Sequence, residues 1–110
     1  MKQYTTPEQT AKLIELGFAP KMRIKGVSTK YGTVNVEHET YFDVGELIEI
    51  LPMNINNDGS FEEILIHINY GRWVVKYSGI FREPTYQICR KELIDALYTM
   101  IVELKDEGAI

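Results

Sequence analysis

Glu37, His38 and Glu39 stand in a row, His67 is the second histidine, and Cys89 is the single cysteine of the 110-residue chain. These are the residue types from which a metal site, or a thiol nucleophile with its base, would be built. The spacing argues against both. On a strand successive side chains alternate, so His38 points away from Glu37 and Glu39 and three consecutive ligands cannot converge. His67 belongs to the polar face of its own strand, near Glu63. Cys89 has no flanking signature and is expected as a small residue at the start of a helix, where a thiolate would be favoured. It is the lead for one alternative function, a small enzyme with Cys89 as its reactive group. No Gly-rich phosphate loop, nucleophile elbow or Cys-x-x-Cys pair occurs. No catalytic, metal or cofactor residue is therefore assigned.

Charge is sorted along the chain. Residues 1–30 hold six basic side chains against two acidic, residues 31–71 hold eight acidic and no Lys or Arg, and the remainder balances to leave a net −4. Lys21, Arg23 and Lys25 form a basic ladder, and Lys30 with Tyr31 follows at a turn. Such a ladder can hold a phosphate backbone while a tyrosine stacks on a base, which makes a nucleic-acid-binding hairpin the second alternative. Glu37 and Glu39, on the opposing strand, oppose it. Asp43, Glu46 and Glu49 lie on the outer side of a short helix and offer an acidic face to a basic protein surface.

The elements that must position these residues follow from local signals. Thr6-Pro7-Glu8-Gln9 reads as a capping box with proline at the first helical position, so a helix is predicted over 7–16, ended by Gly17. Residues 21–27 and 33–39 pair as a hairpin around Ser28–Gly32 if Ile24 faces Val36, Arg23 faces Glu37 and Lys21 faces Glu39. Asp43 and Glu46 open a second helix, and Pro52 stops it. A second hairpin centred on Tyr70-Gly71 sets Ile68 opposite Trp73, Ile66 opposite Val75 and Ile64 opposite Tyr77. Leu93, Ile94, Leu97, Ile101 and Leu104 repeat at helical spacing, giving a long helix over 90–107 that ends at Gly108. The order α-β-β-α-β-β-α predicts one α+β domain, an antiparallel sheet of two hairpins covered by helices. Trp73 is expected in its core, between Ile66, Ile68 and the long helix.

The run Tyr41-Phe42-Asp43-Val44-Gly45-Glu46-Leu47-Ile48-Glu49-Ile50-Leu51-Pro52, then Trp73-Val74-Val75-Lys76-Tyr77, then residues 92–100 before Gly108-Ala109-Ile110, resembles a family of small proteins from gut anaerobic bacteria. Its genes are often found in phage-like or mobile elements. The likeness covers the last two thirds of the chain and leaves residues 21–40 unmatched. It implies a shared fold of core positions, and carries no catalytic residue with it.

Composition fits a globular chain: 45% of residues are hydrophobic, and a chain of this length buries roughly 65% of its unfolded surface. Apolar runs are short and broken by charge, no signal-peptide pattern opens the sequence, and one cysteine cannot form an internal disulfide. A cytoplasmic protein is expected. Seven Tyr, four Phe and one Trp exceed what a core of this size hides, and aromatic residues are common interface anchors. The first expectation is thus a non-enzymatic interaction or accessory factor, working through a protein partner that includes a second copy of itself.

Overall fold

The computed structural model describes residues 2–21, 23–29, 32–57, 60–79 and 84–110, giving backbone and register at 23–29, 32–39, 57 and 60. Three helices, α1 (Pro7–Glu15), α2 (Val44–Ile50) and α3 (Leu93–Asp106), accompany six strands: β1 (Arg23–Thr29), β2 (Gly32–Glu39), β3 (Asn54–Asn57), β4 (Ser60–Asn69), β5 (Arg72–Ser78) and β6 (Tyr86–Arg90). The fold is α+β, and all strand pairs among the described residues are antiparallel.

Both predicted capping boxes form. Thr6 Oγ1 accepts the Gln9 N–H at 3.1 Å while Gln9 Oε1 accepts the Thr6 N–H at 3.0 Å. Asp43 and Glu46 repeat the arrangement at α2. The β4–β5 register is the one that the alternation requires, with Ile64, Ile66 and Ile68 opposite Tyr77, Val75 and Trp73. Its two-residue turn needs positive φ at both positions, and Tyr70 (51°) and Gly71 (74°) supply it.

Two strands extend this hairpin into the four-stranded sheet β3-β4-β5-β6. β3 comes from the stretch Asn54–Asn57, whose asparagines, with Asp58 and Gly59, are turn formers that predict a linker, and β6 from the stretch before the long helix. Both are too short for periodicity to reveal them. β6 also shortens α3, which starts at Leu93. Cys89 is consequently a mid-strand residue opposite Val74 and lies at no helix start.

The core sits between this sheet and the helices. Val75, Tyr77 and Ile88 face Ile94, Leu97, Met100, Ile101 and Leu104 of α3, with Leu13, Phe42 and Leu47 closing the side. Tyr77 is fully buried, and its hydroxyl donates to the Pro52 carbonyl at 2.8 Å; desolvation pushes the hydroxyl well above the usual phenol range. Trp73 is only half-buried, because its cross-strand neighbour Ile68 stands at the end of the sheet and is 60% exposed. Tyr77 and Val75, not Trp73, occupy the centre.

The N-terminal segment and α1 are tied to the first turn of α3. Lys2 Nζ lies 2.7 Å from Asp95 Oδ1, which also accepts from Gln9 Nε2 at 2.8 Å. Thr5 and Phe42 exchange two hydrogen bonds of 3.0 Å, one between backbones and one through Thr5 Oγ1.

The first hairpin behaves differently. β1 and β2 form a two-stranded sheet of their own and, among the described residues, pack broadly on no other element. The molecule measures 64 × 31 × 20 Å with a radius of gyration of 17.1 Å, where a globule of this length would have about 13 Å. The two hairpins therefore do not share a sheet. The register also differs from the expected one by two residues: Arg23 faces Glu39, Ile24 faces His38, Lys25 faces Glu37 and Gly26 faces Val36. Pairing runs on to Thr29 and Gly32, with an irregularity at Val27/Ser28, which a five-residue turn would not permit. A two-residue shift preserves every face, so the alternation is kept while the partners change.

Candidate functional site

α2 sets the acidic residues in place, and its first turn explains why they make no continuous face. Asp43 is the N-cap and accepts the Glu46 N–H at 2.8 Å. Glu46 is 7% exposed; its Oε1 accepts from the Asp43 N–H at 3.3 Å and its Oε2 from the Lys21 N–H at 2.9 Å. This carboxylate bridges the start of α2 to the chain entering β1. Only Glu49 of the three points to solvent on the helix. The expected acidic docking face is thus corrected: a capping box needs its N3 carboxylate turned back onto the backbone, which removes Glu46 from the surface.

The basic residues also separate. Lys21 precedes β1 and is tied through its backbone to Glu46, so it has no place opposite Glu39. Arg23 and Lys25 occupy register positions opposite Glu39 and Glu37. Tyr31 and Lys30 lie outside the described residues. The cations of the ribbon thus stand against carboxylates on the neighbouring strand.

Cys89 and His67 come nearer to a chemical arrangement than their sequence separation suggests. His67 pairs with Val74 and Val74 with Cys89, so all three form one row on the face of the sheet turned from α3. Val74 stands between them. Two strand spacings separate thiol and imidazole positions by about 9.6 Å, where proton transfer needs about 3 Å. Among the described residues no three His, Cys, Asp or Glu side chains gather as metal ligands.

One buried acid escapes sequence reasoning. Glu62 is fully buried, and its Oε1 accepts from the Thr85 N–H and hydroxyl, both at 3.3 Å, while its Oε2 has no partner among the described residues. Strand parity was the available signal, since Glu62 shares its face with Ile64 and Ile66. Beside it a cleft of about 360 Å³ is lined by Asn54, Ile55, Asn56, Tyr86 and the Gly108-Ala109 end of α3. Burial, then the carboxylates of Glu107, Glu103 and Glu62, raise the Tyr86 hydroxyl above its ordinary pKa. Amides and a phenol held protonated furnish hydrogen bonds but neither nucleophile nor base.

Large apolar side chains do reach the surface: Tyr70 (98% exposed), Met53, Phe61, Ile68 and, to a lesser degree, Leu65. No described helix is long and apolar enough to cross a membrane. Comparison with protein-family models, curated proteins and solved structures finds no match.

Proposed function

We propose that this protein is a non-enzymatic interaction module whose working part is the β1–β2 ribbon. The observation that carries the reading is the ribbon's isolation: a two-stranded sheet, about 23 Å long by strand geometry, that among the described residues packs broadly on no other element. A lone hairpin is marginal in water. Ile24, Gly26 and Val36 occupy register positions of one face, and a partner surface laid on that face would stabilise the hairpin. That partner is a protein surface with an apolar strip and charges of both signs, because Arg23 and Lys25 already oppose Glu39 and Glu37. The same opposition weighs against a phosphate backbone as ligand. The accessory role in a phage-like or mobile element rests on the sequence resemblance alone.

The test uses the full chain with Ile24 and Val36 both changed to Ser. A protein retained from the native cell by the wild type is purified, and its affinity for both forms is measured by calorimetry. At least about a tenfold loss, about 1.4 kcal/mol, is expected, with the circular dichroism of the body unchanged. Equal affinity for the two forms refutes the ribbon as the working part. Retention on DNA that falls steeply with salt would favour the nucleic-acid alternative instead.

A further inference from the structure

β4 is ten residues long and β3 only four, so the two elements cannot match along their length. β3 pairs with Ser60 to Glu63, and the last bond on that side runs from the Ile64 N–H to the Met53 carbonyl at 3.0 Å. Backbone groups of alternate residues point to the same side of a strand. Ile66 and Ile68 therefore direct their N–H and C=O groups to the side where β3 has ended, and no described residue bonds to them there. Among the described residues the strand is an open edge from Leu65 to Asn69.

Open edges are normally guarded by charge or proline. β1 carries Arg23 and Lys25, β2 carries Glu37 and Glu39, and β6 runs into Arg90 and Lys91, while β3, which has neither, is blunted by being only four residues long. Between Ile64 and Gly71 there is no Lys, Arg, Asp, Glu or Pro. Exposed apolar side chains stand beside this edge: Leu65 (46%), Ile68 (60%) and Tyr70 (98%).

We infer that this edge pairs with the same edge of a second copy, antiparallel about a two-fold axis at His67. In that register Ile66 meets Ile68 of the second copy and the reverse, each pair exchanging two backbone hydrogen bonds. No like charges oppose one another, and the bare ends of Ile68 and Tyr70 are covered. The contact is isologous, so it closes at two copies, and the guarded outer edges stop further growth. Five to six residues a side bury on the order of 500 Å² per copy, below the roughly 800 Å² of a standard interface, so the dimer is weak and concentration-dependent. This surface is distinct from the ribbon, and the two readings stand or fall separately.

Sedimentation of the full chain over a wide concentration range tests the pairing. A monomer–dimer equilibrium is expected, weakened at least about tenfold by Ile68→Lys at an already exposed position and unchanged by Val36→Asp on the ribbon. Across the axis the two His67 Cα atoms form a non-hydrogen-bonded pair about 4.5 Å apart, a spacing that a disulfide accepts. In a Cys89→Ser background, His67→Cys should oxidise to a covalent dimer while Gln87→Cys, on the other edge strand, should not. A chain that stays monomeric at hundreds of micromolar overturns the inference. So does a dimer insensitive to Ile68→Lys, or one lost with Val36→Asp, which would move the contact to the ribbon.

Discussion

The two hairpins, β1–β2 and β4–β5, are built by the same rule and end in opposite situations. Each alternates apolar and polar residues, and each keeps its predicted faces. The difference lies in what one face can bury. β4–β5 aligns Ile64, Ile66, Trp73, Val75 and Tyr77 beneath α3, whereas the corresponding face of β1–β2 holds Ile24, Gly26 and Val36, with a histidine opposite Ile24. At about 25 cal/mol per Å² the first face repays the ordering of a helix against it, and the second does not. Alternation thus makes a hairpin, but apolar area decides whether a hairpin joins the core.

The sharpest way to break this contrast is at its centre. Tyr77→Ala should cost about 3 to 5 kcal/mol in denaturant unfolding, through lost burial and an orphaned Pro52 carbonyl, while the half-buried Trp73→Ala costs about 2. Equal losses would return Trp73 to the core. The same substitution on both hairpins comes next: Val75→Ala should lose about 1 to 3 kcal/mol and Val36→Ala less than about 0.5, and similar values would mean that the ribbon is folded into the body after all.

A third comparison sets Glu46 against Glu49, three residues apart on one helix. Glu46→Ala leaves the Asp43 and Lys21 N–H groups without their acceptor and should cost about 1 to 2 kcal/mol by thermal or chemical unfolding. Glu49→Ala should stay within about 0.5 kcal/mol. The smallest effect concerns Asp95. Partial burial pulls its carboxyl upward, but the hydrogen bonds from Lys2 and Gln9, with the nearby Lys2 and Arg90 charges, outweigh that and hold it below its ordinary 3.8. A depressed folded value means stabilisation that is present above about pH 4 and lost as pH falls through the folded pKa. With both ion-pair partners about a third exposed, the gap between wild type and Asp95→Asn should be about 0.5 kcal/mol at pH 7 and should vanish toward pH 2 in a series of unfolding curves.

Much of this molecule was legible along the chain. Thr6 with Gln9 and Asp43 with Glu46 fixed two helix starts, the Tyr70-Gly71 turn fixed the β4–β5 register, and the spacing from Leu93 to Leu104 fixed most of α3, because each of these signals acts within one or two turns of backbone. Tertiary structure alone decided the rest. Which strand neighbours which depends on contacts distant in sequence, so β3 and β6, the strand environment of Cys89 and the separation of the first hairpin from the sheet had no local sign. The candidate sites divide in the same way. Residue types offered Glu46 as surface charge and Cys89 as a reactive group in need of a histidine; burial against Lys21 took the first, and Val74 stands between Cys89 and His67. The open edge of β4 is the plainest case, since its uncharged sequence was visible from the start, yet only the short reach of β3 exposes it.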